Sequence, residues 1–223
     1  MGEVLNIVAV VQARMSSSRL PEKVMRQISG EPMIGLLLKR LSKSKEVNQI
    51  IVATSVNERD TKLADHVAGM GFYCYRGSEA DVLGRYLDAA KEVSADIIVR
   101  ITGDCPMVDP ELVDLVIKSY LAADYDYFSN INPPSFPDGL DVEVFSIGAL
   151  QQAALATSDE GDREHVTMYF RRTDIFRKGN LNAERDYSSL RWTVDEFCDL
   201  EVMKAIFNFF KPNIYFNWGQ VIT

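Results

Sequence analysis

Cysteine is scarce in this chain. Its 223 residues hold three, Cys74, Cys105 and Cys198, far apart and without CxxC spacing. An odd, dispersed set gives neither a disulfide framework nor a zinc site, and it suits a reducing compartment. Histidine is scarcer still: His66 and His165 cannot make a histidine-rich metal centre. No apolar run reaches the roughly 18 residues of a membrane span. The start, Met1 to Asn6, lacks the basic region and long apolar core of a secretory signal, and Asn6 stands where myristoylation needs Ser or Thr. A cytoplasmic location is therefore expected. Excess positive charge is also missing. A net charge of -8 argues against general affinity for nucleic acid or an anionic membrane. Any anion site must be a local concentration of Arg and Lys. Short tandem repeats and low-complexity tracts are absent.

What is present is ordinary globular composition, 47% hydrophobic and 25% charged, in a chain long enough to bury a real core. Apolar runs at Ile7–Val11, Gln49–Ala53, Phe72–Tyr75 and Asp96–Ile101 read as strands. Between them lie helical patterns over Pro32–Ser44, with Lys39 and Arg40 facing outward, from Asn57 or Asp60 to Met70, and over Glu79–Val93. Asp109-Pro110 opens a helix to about Ala122, and Tyr127–Ser129 is a further strand. The alternation predicts βαβ units and a mostly parallel sheet covered on both faces. After the proline-rich loop Asn130–Gly139 come a half-buried strand at Leu140–Phe145, helices at Ser146–Thr157 and Gly161–Arg172, a strand at Leu190–Val194 and a last helix at Asp199–Phe210. The aromatic tail suits core or subunit interface.

Three strand ends carry chemistry. The first strand runs into Gln12-Ala13-Arg14-Met15-Ser16-Ser17-Ser18-Arg19-Leu20-Pro21-Glu22-Lys23, where serines and Pro21 break the apolar pattern. Three cations and three hydroxyls gather where open α/β sheets bind ligands, and that set suits a polyphosphate. Arg100-Ile101-Thr102-Gly103-Asp104 places a glycine and a carboxylate at another strand end. Asp195 closes Trp192-Thr193-Val194-Asp195; it reads either as a second carboxylate for Mg2+ or as the N-cap of the last helix. Ser78 and Glu79 read as the start of the helix that carries Arg85.

In order along the chain, R14-M-S-S-S-R19-L-P21-E-K23, R76-G-S-E-A-D-V-L-G-R85-Y, R100-I-T-G-D104-C-P, D138-G-L-D141-V-E143-V-F, R163-E-H165-V and R191-W-T-V-D195-E resemble the cytidylyltransferase family. The resemblance covers about Ile7 to Asn217. It is nearest to the spore coat polysaccharide biosynthesis branch, and more distant from the acylneuraminate and 3-deoxy-manno-octulosonate cytidylyltransferases. It implies a three-layer α/β/α, GT-A-like nucleotide-diphospho-sugar transferase fold with a mixed, mostly parallel sheet. The chain would be a single domain with an acceptor and dimerisation subregion at about residues 130 to 190. The implied activity joins CTP to a sugar, sugar acid or related acceptor, with Mg2+, releasing pyrophosphate, and the family is commonly homodimeric. The implied catalytic residues are Arg14, Lys23 and Asp104. Ala13, Arg14, Ser16, Arg19, Lys23, Ser78, Arg85, Thr102 and Gly103 would lie along the nucleotide, helped by the backbone amides of Ser16–Ser18. Asp104 and Asp195 would hold the metal. Asp138, Asp141, Glu143, Arg163 and His165 match the acceptor side.

Glu22 departs from the family pattern, standing where this loop usually has glycine. The expectation is that the backbone there needs no positive φ. The alternatives are a GT-A glycosyltransferase, against which the lack of an Asp-x-Asp pair counts, and a non-catalytic nucleotide-binding homologue.

Overall fold

The computed structural model describes residues 5–223. The reading of the first four residues lies outside them. In chain order the elements are β1 (Ile7–Gln12), β2 (Gln27–Ile28), β3 (Glu31–Pro32), α1 (Met33–Leu41), β4 (Gln49–Ser55), α2 (Thr61–Gly69), β5 (Tyr73–Gly77), α3 (Val82–Glu92), β6 (Ile97–Thr102) and α4 (Pro110–Leu121). They continue with β7 (Tyr127–Ser129), β8 (Glu143–Ser146), α5 (Ile147–Ala156), α6 (Glu160–His165), α7 (Met168–Arg172), β9 (Lys178–Asn180), α8 (Phe197–Phe210) and α9 (Trp218–Ile222).

Seven strands form one sheet in the order β5-β4-β1-β6-β8-β7-β9. β8 runs antiparallel to both neighbours; the other pairings are parallel. β1 can be apolar at five successive positions because both faces are covered. Ala9, Val11, Val99 and Ile101 pack against α1, α2, α4 and α8 on one face. Val8, Val10 and Ile98 pack against α3, α5 and α7 on the other. This is the expected three-layer α/β/α fold. No helix among the described residues is long and apolar enough to cross a membrane.

Four expectations are corrected. Arg40 does not face outward. It is fully buried, and donates to the carbonyls of Met107, Val108, Ile214 and Phe216. Helical periodicity places it beside Met33, Leu36 and Leu37, so α1 turns it inward, and the returning C-terminal tail supplies carbonyls for its charge. The half-buried strand is shorter, and Val142 to Phe145 are buried on both faces, because α5 and the first layer enclose β8. The helix expected over Gly161–Arg172 breaks at Val166, whose φ of 57° and ψ of -56° make a one-residue γ-turn closed by Thr167 N–H donating to His165 O at 2.5 Å. Leu190–Val194 forms no strand, only the isolated bridge of Arg191 to Asp138. Gly139 explains that bridge: with φ of 106°, its Cα comes so close to Trp192 and Thr193 that a Cβ would lie 2.6 Å from their backbone.

Candidate active site

β1 and β6 end side by side, with Gln12 in register with Thr102. Gly103 N–H donates to Gln12 O at 2.7 Å, and a Cβ at Gly103 would lie 2.8 Å from Ala13 Cβ, so only glycine lets these strand ends approach so closely. The loop after β1 is anchored from below by Asp60. Its carboxylate accepts from Met15 N–H at 2.7 Å and from the amide and hydroxyl of Ser55. Asn57 caps the single 3-10 turn that leads into α2, while Asp60, at the N-cap position of α2, gives its carboxylate to the loop and not to the helix. A cavity of about 610 Å³ opens over the strand ends. Ala13, Arg14, Ser16, Arg19, Lys23, Thr102, Gly103, Asp104, His165 and Asp195 line it, together with Gln12, Ser17, Ser18, Glu79, Val82, Arg100 and Glu164.

At its centre Lys23 Nζ donates to Asp104 Oδ2 at 2.8 Å and to Asp195 Oδ1 at 2.9 Å. Burial works against the charge on Lys23, but the two carboxylates outweigh it and hold its pKa above the ordinary value. Burial likewise opposes the charge on Asp104, and Lys23 outweighs it, so the Asp104 carboxyl stays below its usual range. The choice left open for Asp195 is decided by its neighbours. Glu196 is the N-cap of α8 and forms a capping box with Asp199, so Asp195 is free to face the cavity. Asp199 Oδ2 also accepts from Asp195 N–H at 2.9 Å, and Val194 N–H donates to Asp104 O at 2.8 Å, which locks the two carboxylate-bearing loops together. Arg19 and Arg191 approach the other oxygen of Asp195 at 3.0 and 3.2 Å.

The serine amides are less free than expected, since Ser17 N–H donates to Met15 O within the loop. Ser16 Oγ donates to Glu79 at 3.0 Å.

Glu22 adopts φ 57° and ψ 28°, which overturns the expectation that this position needs no positive φ. The chain must turn left-handed to bring Lys23 back over the sheet. The Glu22 carboxylate does not line the cavity; it points outward to Lys62 at 3.5 Å. An exposed pair of this kind contributes little. Glu22→Gly is therefore expected to raise stability by about 1 kcal/mol by removing the Cβ clash of the left-handed conformation, without weakening nucleotide binding. Thermal melts with and without CTP would check it; a large loss of affinity would give the carboxylate a role that this geometry does not.

Six of the expected residues do not line the cavity. α3 starts at Val82 with Asp81 as its cap, not at Ser78 or Glu79, and Ser78 Oγ accepts from Asp81 N–H. Arg85 is buried beneath that turn and donates to Ser78 O; its Nε and Nη2 have no partner among the described residues. Arg163 pairs with Asp81 at 3.4 Å. Glu143 is fully buried; it pairs with Arg100 and accepts from Tyr127 OH at 2.5 Å. Burial raises the Glu143 pKa, but Arg100 and these donors outweigh it and leave it lowered. Asp138 and Asp141 complete an acidic group beside it. Arg100, which Glu143 holds against the cavity, was not among the expected site residues. Its spacing could have shown it: two residues before Thr102, it shares that residue's face of β6.

Burial, then the Asp138 and Glu143 charges, push the Asp141 carboxyl up to about 7. A folded pKa above the ordinary 3.8 means that the native state holds the extra proton. Stability is then lost as pH rises from about 4 to about 7. Asp141→Asn should flatten that slope and make the protein more stable than wild type at pH 8. Urea unfolding at pH 5 and 8 tests this, and an unchanged slope would refute it.

A mixed sheet covered on both faces, a basic serine-rich loop at its carboxyl edge and a lysine between Asp104, just past β6, and Asp195, just before α8, define the class as nucleotidyltransferase. The family profile for cytidylyltransferases matches residues 8–209, and the chain belongs to the cytidylyltransferase family. It is 33% identical over 210 residues to the spore coat polysaccharide biosynthesis protein SpsF of Bacillus subtilis, covering 91% of this chain and 86% of that protein. It is 35% identical over 201 residues to the uncharacterized protein MJ1063 of Methanocaldococcus jannaschii, covering 89% and 82%. The structure of a cytidylyltransferase from Leptospira borgpetersenii superposes with a TM-score of 0.94 at 32% identity, covering 98% of this chain and 93% of that one. A CMP:2-keto-3-deoxy-manno-octonic acid synthetase complexed with CTP shares the fold, with a TM-score of 0.70 at 19% identity, covering 91% and 98%.

Proposed function

We propose that this protein transfers CMP from CTP to the hydroxyl of a sugar-like acceptor and releases pyrophosphate. The observation that carries the reading is the lysine held between Asp104 and Asp195, beside a loop of arginines and serines in one cavity. Arg14, Arg19 and Lys23 grip the triphosphate, and Ser16 and Ser18 line its path. Asp104 and Asp195 fit Mg2+, because both already converge on one cation and Mg2+ takes one or two protein carboxylates, with phosphate and water completing its shell. Bound there, the ion would supply charge neutralisation at the phosphates. The acceptor oxygen forms its bond to the α-phosphorus as the bond to the β-phosphate oxygen breaks. Catalysis is mainly positioning and electrostatics. His165, the imidazole in the cavity, is the candidate to take the hydroxyl proton.

Residues at about 130 to 190 would form the acceptor and dimer side, where Leu155 and Ile175 are exposed. The SpsF relative points to a surface polysaccharide pathway, the few dispersed cysteines to the cytoplasm, and the family resemblance to a homodimer. The test is a pyrophosphate-release screen of CTP with sugar phosphates and sugar acids in Mg2+. Release with one acceptor supports the reading. CTP binding by calorimetry without turnover on any acceptor would favour a nucleotide-binding homologue.

A further inference from the structure

Lys23 presents a conflict. Its ammonium is in direct contact with both carboxylates assigned to the metal, at 2.8 and 2.9 Å. Its side chain is only 15% exposed, so the ammonium is held inside the cavity. A divalent ion bound by the same two oxygens at about 2.0–2.1 Å would need the same place. Lys23 cannot stay there and also hold the triphosphate. The carboxylates do have other support: Asp195 keeps Arg191, and the loops stay tied through Val194 N–H and Asp104 O. The ammonium can therefore leave without the site collapsing.

We propose that Lys23 is a stand-in cation: in the free protein it occupies the metal position, and it leaves for the triphosphate only when nucleotide and metal arrive together. This rests on the reading of Asp104 and Asp195 as the metal aspartates. It goes beyond that reading in predicting how the site behaves empty. Free metal must displace an ammonium that then has no new partner, so it binds weakly. Incoming phosphates give the ammonium a partner and clear the two carboxylates. Metal and nucleotide should thus strengthen each other's binding by the same factor. Two consequences follow for the protein in solution. The carboxylates are kept paired and in place, without the repulsion of two bare charges. The site also refuses a metal ion that comes without its nucleotide.

The probe is Mn2+, measured as free ion by electron paramagnetic resonance and as ternary complex by water-proton relaxation enhancement. Without nucleotide, Lys23→Met should bind Mn2+ about tenfold or more tightly than wild type, because two charge-assisted hydrogen bonds no longer compete. Asp104→Asn placed in the Lys23→Met background should remove the gain. Lys23→Gln, which keeps a neutral donor to the carboxylates, gives a second reading should Lys23→Met not fold; it should fall between the two. If neither variant binds Mn2+ more tightly than wild type, while Asp104→Asn still abolishes the ternary signal with CTP, the stand-in role is wrong and the metal assignment survives. If the ternary signal persists in both Asp104→Asn and Asp195→Asn, the metal assignment itself fails and this proposal with it.

Discussion

Lys23→Ala is expected to lower kcat/KM for CTP by about a thousandfold, the scale seen when a positioned cation or donor is removed from a developing phosphoryl charge. The lysine is mostly buried and sits between two carboxylates at direct contact distance. Its removal takes a fixed positive charge out of a low-dielectric cavity, where charge is screened least. Asp104→Asn should cost a comparable factor, since it removes one of the two oxygens that can hold a divalent ion. The two losses should not add. In the proposed reaction Lys23 directly and Asp104 through the metal neutralise one triphosphate, so the double variant should be little worse than either alone. Pyrophosphate release from wild type, both single variants and the double variant measures all three quantities. Turnover near wild type in both single variants would sink the assignment.

The second large effect concerns stability. Arg40→Met is expected to lower it by about 3–5 kcal/mol, or roughly 10 °C in Tm for a chain of this size. Arg40 is fully buried, and its guanidinium donates at 2.5–3.2 Å to four carbonyls, two in the turn after Asp104 and two in the C-terminal tail. Burial pushes it down to about 10, and the charge of Asp109 opposes this. Its plane lies over the Phe216 ring, 4.8 Å from the centroid. Methionine keeps most of the apolar stem but leaves four buried acceptors without donors and Asp109 without its counter-charge. Arg40→Lys should recover less than half, because an ammonium cannot fan its donors to four carbonyls. Thermal melts decide it: a shift under 2 °C for Arg40→Met would show that water or other groups satisfy those carbonyls.

Arg40 also marks a boundary of sequence reasoning. Periodicity puts it on the apolar face of α1 with Leu36 and Leu37, but its charge makes it read as solvated, because nothing local shows the carbonyls that lie across from it. Glu143 is the same case on a strand. Alternation with Val142 and Val144 suggested a wet face, and the wet face is a buried Arg100–Glu143–Tyr127 group. Val166 defeated periodicity differently: a single backbone torsion splits a continuous helical pattern, and no residue type announces it.

By itself the sequence determined the alternation of strands and helices in the first half, because a buried parallel strand must be a short apolar run and its covering helix must be amphipathic. It also determined which segments carry cations and carboxylates, since each lies in an unbroken local motif. Only the tertiary structure decided that these segments make one site. Lys23 lies 81 residues from Asp104 and 172 from Asp195 in the chain, and no local signal records a contact across such separations. Parallel register between β1 and β6 and the return of the chain before α8 bring them together. Tertiary structure likewise decided that Asp195 faces the cavity, because a neighbouring residue, Glu196, took over the helix cap. It also gave Glu22 its left-handed backbone, because the loop had to turn there to place Lys23 between the two aspartates.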